Sequence, residues 1–303
     1  MVKMALFGYS GSGKTTLFRH LTGKTEEIYD PFKPCVGVGI YKDSNIDGLT
    51  EIHKARKMVY PEFEIFDFKG FPSGHGFPEN YFAHFFEMDI IVCVVNNFGE
   101  DSYPERDASS LLMELILYDT EKIQSILKKK EEGTAAITQQ QVDVLKKGLK
   151  TLEKERLLIE LSDAEKKLIY GIQLLTTRQV FLYINGDRNQ FKPPSNSPYL
   201  IQKEFDSISF YKSIMSIMGL ITFYTVKGDI IQGWVIPSHY TAKQAAGRIH
   251  KDIEKGFIKA AVISVHNLLD IGSWQAAKNT GALKFLGPNS LLSDGDVVEF
   301  YFH

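Results

Sequence analysis

Gly8-Tyr9-Ser10-Gly11-Ser12-Gly13-Lys14-Thr15 decides the fold, because it matches G-x-x-x-x-G-K-[ST] in full. The short apolar run Lys3 to Gly8 precedes it, and Lys14 to Leu21 follows with Leu17 and Leu21 on one helical face. That order is strand, loop, helix. Glycines let consecutive backbone N–H groups close around phosphate oxygens, a Lys reaches the β- and γ-phosphates, and a hydroxyl ligates Mg²⁺. The helix N-terminus adds a favourable dipole for the anion. Working outward, further apolar runs lie at Val36–Tyr41, Phe63–Phe68, Ile90–Val95 and Val180–Ile184, each bounded by Gly, Asp or Asn. Continuous runs of this kind suit a parallel sheet covered on both faces.

The chain has 303 residues, enough for two domains or one domain with a large insertion. Its 44% hydrophobic and 24% charged content excludes a disordered or fibrous chain. With 35 Lys and Arg against 37 Asp and Glu, the net charge is -2, so nucleic-acid contact needs a local patch. Cys35 and Cys93 lie in different segments without metal-type spacing, which argues against a disulfide scaffold or a Cys-based zinc site. No stretch approaches the ~18 apolar residues of a membrane span. The expectation is a soluble, cytoplasmic protein with no membrane partner.

From about Ala108 to Leu175 the chain is dense in Lys, Glu, Gln and Leu and lacks proline, which reads as a helical insertion. Val142, Leu145, Leu149 and Leu152 have the spacing of a coiled-coil or helical-hairpin seam. Thr138 with Gln141 and Ser162 with Glu165 have capping-box form, and Glu131 to Ala136, with Gly133, reads as the turn between two arms. Pro193, Pro194 and Pro198 mark a second boundary. From Gly233 on, strand (Trp234–Ile236), helix (Ala242–Ile253), strand (Ile258–Ser264), short helix (Ser273–Lys278) and strands (Leu283–Leu286, Val297–Phe302) suit a small α+β domain of β-grasp type. The fold class is therefore α/β: a P-loop G domain (1–107 and 176–232) with an inserted helical hairpin arm (108–175), then a β-grasp domain (233–303).

Asp67-Phe68-Lys69-Gly70 ends the second long apolar run as D-x-x-G. In a GTPase-like site the Asp holds Mg²⁺ through water, the Gly N–H bonds the γ-phosphate, and the loop beyond, Phe71 to Phe77, follows nucleotide state. Asn185-Gly186-Asp187-Arg188 follows the last run, where GTPases keep the N-K-x-D that reads guanine. Asn185 is in place; Asp187 sits one position early and Arg188 occupies the acidic slot. Phe71 stands where many GTPases carry a water-orienting Gln. His75 lies in the same loop as a weaker candidate for approach to a γ-phosphate.

The residues resemble the YchF subfamily of Obg-like P-loop NTPases. Gln244-Ala245-Ala246-Gly247-Arg248-Ile249-His250, continuing as KDIEKGFIKAAVIS, and the ending LSDGDVVEFYF are similar to that subfamily's TGS domain. Met215 to Val226 and Val38 to Asp67 fit as well, so the resemblance covers nearly the whole chain. It implies nucleotide hydrolysis, a frequent preference for ATP through N-x-x-E, a hydrophobic residue for the switch II Gln, and ribosome association. Phe71 agrees. The departures are Pro31 at the switch I Thr position, Arg188 at the Glu of N-x-x-E, no His in Phe98 to Arg106, no clear S-A motif after Asn185, and GYSGSGKTT in place of GLPNVGKST.

The expected function is a nucleotide-gated regulator associated with a ribosome or RNA, with slow ATP or GTP hydrolysis and Mg²⁺, and monomeric. The alternative is a non-cycling adaptor that has lost hydrolysis. Nucleotide contacts are expected from Gly8, Tyr9, Ser10, Gly11, Ser12, Gly13, Lys14, Thr15, Thr16, Asn185 and Asp187, metal ligation from Thr15 and Asp67, and catalytic roles for Lys14, Asp67 and Gly70. An ABC-type ATPase is excluded: no Asp-Glu pair ends a strand and no LSGGQ-like segment exists.

Overall fold

A computed structural model describes residues 1–25, 33–74, 76–78, 80–99, 102–186, 191–194 and 197–303. The chain opens with β1 (Val2–Phe7), α1 (Lys14–Thr22), β2 (Cys35–Ile40), α2 (Ser44–His53), β3 (Lys57–Val59) and β4 (Glu62–Asp67). It continues through β5 (Ile90–Asn97), α3 (Pro104–Glu131), α4 (Gln139–Leu152), α5 (Asp163–Ile169), β6 (Gln179–Gly186) and β7 (Tyr199–Gln202). The remainder is α6 (Ser207–Ile217), β8 (Leu220–Lys227), β9 (Ile230–Pro237), α7 (Ala242–Ile249), α8 (Lys251–Lys255) and β10 (Phe257–Ser264). α9 (Val265–Ile271), α10 (Trp274–Asn279), β11 (Lys284–Leu286) and β12 (Asp296–Phe302) complete it. Two compact units form, Met1–Gly39 with Phe63–Asp206, and Ile40–Glu62 with Ser207–His303.

The first unit is built on a six-stranded sheet in the order β2-β4-β1-β5-β6-β7. β1 runs parallel to β4 and β5, and β6 parallel to β5 and β7, with Met4 opposite both Ile65 and Ile90. Parallel neighbours need crossover connections, which α1 and the α3–α5 region supply. The central strands are apolar on both faces because both faces are covered. β2 alternates instead, leaving Val36, Val38 and Ile40 exposed, as suits an edge strand.

α3 begins at Pro104, and its first half buries Ala108, Leu111, Leu112 and Leu115 in the sheet core. Its second half joins Val144, Leu145, Leu152, Leu158 and Ile169 in a separate helical core. α3 and the 14-residue α4 flank the expected turn at Gly133, and the chain then folds back through α5. Both capping boxes are formed, Thr138 with Gln141 and Ser162 with Glu165. One buried carboxylate closes the region. Asp119 accepts from Leu175 N (2.8 Å), Thr176 N (2.7 Å) and Thr176 Oγ1 (2.6 Å). Burial pushes its carboxyl up to about 6, against the opposing pull of those donors.

The second unit carries the sheet β11-β10-β12-β8-β9-β3. Gly233, the expected boundary, falls inside β9, because β8 and β9 form an antiparallel hairpin from Leu220↔Pro237 to Lys227↔Ile230. The segment between β2 and β4 also belongs here. α2 buries Ile46 and Leu49 with Tyr224, Ile231 and Leu268, and β3 adds parallel to β9. Asp43 caps α2 and accepts from Tyr224 Oη, which in turn accepts from Asn45 Nδ2 at 2.9 Å. The helix expected over Ala242–Ile253 is two helices, since His250 is extended (φ -161°, ψ 140°) and its Nδ1 accepts from Asp252 N.

Candidate nucleotide site

Parallel α/β sheets place ligands beyond the carboxyl ends of their strands. Four such ends converge here: Gly8–Gly13 after β1, Phe68–Gly70 after β4, Phe98 after β5, and Asn185 near the end of β6. Together the first three border a cleft of roughly 550 Å³ lined by Ser10, Gly11, Gly13, Lys14, Thr15, Thr16, Lys69, Gly70 and Phe98.

The loop is shaped by its glycines. Gly13, the N-cap of α1, has φ +95°, and a Cβ there would stand 2.1 Å from Asn185 Nδ2, so no side chain fits. No side chain caps α1, which leaves its first N–H groups open toward the cleft. Asn185 Nδ2 donates to Ser12 O at 3.1 Å and braces the loop from β6. Tyr9 turns its ring into the core, stacked on Phe77 at 5.9 Å, and offers only its backbone. Its carbonyl accepts from Lys14 Nζ at 2.8 Å.

Lys14 is 5% exposed, and burial pushes its ammonium down to about 8, with Asp67 pulling the other way. Thr15 Oγ1 donates to Asp67 Oδ2 at 2.9 Å. Asp67 Oδ1 is buried without a hydrogen-bond partner among the described residues, an expensive arrangement unless something else meets it. Burial raises the Asp67 carboxyl, while the Thr15 hydroxyl and Lys14 hold it back.

Gly70 stands against the same lysine: a Cβ there would lie 2.5 Å from Lys14 Nζ and 2.7 Å from Ser10 N. Ser10 fastens the D-x-x-G turn to the first loop, its hydroxyl donating to Gly70 O (2.8 Å) and its N–H to Phe71 O (2.9 Å). The Phe71 ring packs edge-on against Phe77 (5.8 Å) and Tyr81 (5.5 Å), so this position presents no polar group to a water. Lys69 and Phe98 were absent from the sequence-based site. Lys69 sits inside the D-x-x-G turn, and Phe98 follows a strand end, a location that could have flagged it. Pro31, His75, Asp187 and Arg188 lie outside the described residues.

Among the described residues no helix is long and apolar enough to cross a membrane. Residues 220–303 match the family model YchF-GTPase_C, described as a protein of unknown function (DUF933). The "Ribosome-binding ATPase YchF" of Mycoplasma genitalium is 28% identical, covering 100% of both chains. The protein of that name from Bacillus subtilis is 25% identical over 98% of each. The solved structure of the Schizosaccharomyces pombe YchF GTPase superposes with a TM-score of 0.80 at 21% identity, covering 99% of this chain and 97% of that one. The chain is thus similar to YchF proteins along its whole length and shares their fold, and its C-terminal residues 220–303 match the family's own model.

Proposed function

We propose that this protein binds Mg²⁺-ATP or Mg²⁺-GTP in the P-loop cleft, hydrolyses it slowly in the cytoplasm, and uses the bound state to gate association with the ribosome. The observation that carries the reading is the Thr15–Asp67 contact beside the unpartnered Asp67 Oδ1, since hydroxyl and carboxylate oxygens are the donors a hard divalent cation takes. Thr15 and Asp67 would hold Mg²⁺, which when bound neutralises charge on the phosphates. Lys14 and the N–H groups from Gly11 to Thr16 would bind the phosphate oxygens, with Gly70 N–H at the terminal one. Phe71 supports slow turnover, because the group that would orient water is an aromatic ring packed in a cluster. That same ring favours the second reading, a non-cycling adaptor. Multiple-turnover hydrolysis separates the two.

The buried lysine gives the binding a pH signature. In the free protein Lys14 loses its proton near pH 8, and an anionic phosphate beside it favours the charged form, so the bound pKa is higher. Affinity is expected to be level below about pH 7 and to fall by up to about tenfold per pH unit above ~8. Calorimetry from neutral to alkaline pH checks this; an unchanged affinity across that range contradicts it.

Ribosome association is supported by the similarity to proteins named ribosome-binding ATPases and by the lysines Lys128, Lys129 and Lys130 in the last turn of α3. Sedimentation of the full chain with ribosomes over a salt series is the test, in ATP-analogue, ADP and nucleotide-free states. Affinity should fall with rising salt in proportion to the phosphates neutralised, less steeply for the triple Lys128→Ala, Lys129→Ala, Lys130→Ala variant. Absence of co-sedimentation in every nucleotide state removes the ribosome from the reading. An unaltered salt slope in the variant places the contact elsewhere.

A further inference from the structure

The second unit holds a cavity of its own, roughly 190 Å³, lined by His53, Val226, Trp274, Val297, Val298 and Glu299. His53 is the last residue of α2 and Trp274 the first of α10, while Val226 comes from β8 and the other three from β12. The chain thus brings four elements around one small space, apolar along the valines.

Its polar groups share one preference. His53 Nε2 is buried and has no hydrogen-bond partner among the described residues, and burial lowers its proton affinity, so the imidazole is neutral at pH 7 and able to accept. Glu299 is an exposed carboxylate at the rim and makes no ion pair among the described residues. Its Oε2 accepts from Trp274 Nε1 at 3.3 Å and from Tyr301 Oη at 2.7 Å, which fixes both the carboxylate and the indole. The nearby Lys259 ammonium lies over the rings of Phe285 (4.3 Å) and Tyr301 (5.4 Å). A carboxylate, an indole π-system and an imidazole acceptor are each complementary to a positively charged N–H donor. The valines are complementary to a short hydrocarbon body.

We propose that this cavity is a binding site for a small organic ammonium ion with an apolar body, a primary alkylamine of about six carbons. The ammonium meets Glu299 and the Trp274 ring, one N–H reaches the His53 imidazole, and the chain lies on the valines. The site is independent of the nucleotide reading, because every residue in it belongs to the second unit.

The test uses the full chain labelled with ¹⁵N. It has two tryptophans, and the second, Trp234, donates its indole N–H to Thr225 at 2.9 Å, so its signal is an internal control. The probes are n-hexylammonium, neutral 1-hexanol and 9-methyladenine. Hexylammonium should move the Trp274 indole signal saturably while Trp234 stays in place, and should bind at least about tenfold more tightly than hexanol, as expected for one charge-assisted contact. Glu299→Gln, an exposed isosteric change, should lose about that factor, and His53→Leu should weaken binding while keeping the bulk. If His53→Leu does not fold, Glu299→Gln decides alone. An unmoved Trp274 signal, equal binding of hexanol, or full affinity in Glu299→Gln overturns the proposal. Stronger binding of 9-methyladenine also overturns it, assigning the cavity to a nucleobase.

Discussion

Replacing Lys14 with Ala is expected to weaken Mg²⁺-nucleotide binding about ten- to hundredfold, since one charge-assisted contact to phosphate contributes about 1.5–3 kcal/mol. Lys14 is buried, and its Nζ is held by the Tyr9 carbonyl at 2.8 Å on the cleft wall, so it is pre-positioned before any ligand arrives. The loss should fall on binding and leave folding intact, because a buried cation without a carboxylate partner in direct contact is itself costly to the free protein. Lys14→Arg is not expected to restore binding. Gly70 stands where even a single added carbon would come within 2.5 Å of Nζ, leaving no room for a planar guanidinium. Calorimetry on both variants with ATP and GTP reads the effect. Affinities matching the parent's would place the phosphate site elsewhere.

The second large effect concerns stability. Asp119→Ala is expected to destabilise the first unit by about 2–5 kcal/mol, because removing the acceptor leaves buried donors unpaired at about 1–3 kcal/mol each. Those donors are Leu175 N, Thr176 N and Thr176 Oγ1, at 2.6 to 2.8 Å in a position that is 0% exposed. The carboxylate ties α3 to the strand-entry turn before β6, spanning the whole helical insertion. Asp119→Asn keeps one carbonyl acceptor and should fall between Ala and the parent. Denaturant unfolding of the three proteins measures the order; a cost below about 1 kcal/mol for Asp119→Ala, the net value of an ordinary exchanged hydrogen bond, would contradict it.

Local rules made much of this legible. The P-loop needed only the order strand, glycine-rich turn, helix, and both capping boxes follow from a hydroxyl and a Glu or Gln three residues on. What stayed hidden depends on which partner a face chooses. Ile46 and Leu49 mark a buried side of α2, yet nothing local says that the side packs with Tyr224 and Leu268 of the second unit. The hairpin β8–β9 likewise reads as two apolar runs until pairing assigns them to the second sheet. At His250 a helical pattern is broken by a side chain that caps its own following turn, a competition that periodicity does not register. In the site, Lys14, Thr15, Asp67 and Gly70 follow from motif spacing, whereas Phe98 enters the cleft only through the sheet's strand order.

Equilibrium titration of the parent protein with ATP and with GTP, each with Mg²⁺, tests the central claim most directly. The account predicts one site per chain for both nucleotides and less than about a thousandfold between them, because the sequence has Arg188 at the position that the N-K-x-D pattern gives to its Asp. Binding of neither nucleotide, or a GTP preference above that factor, would contradict it.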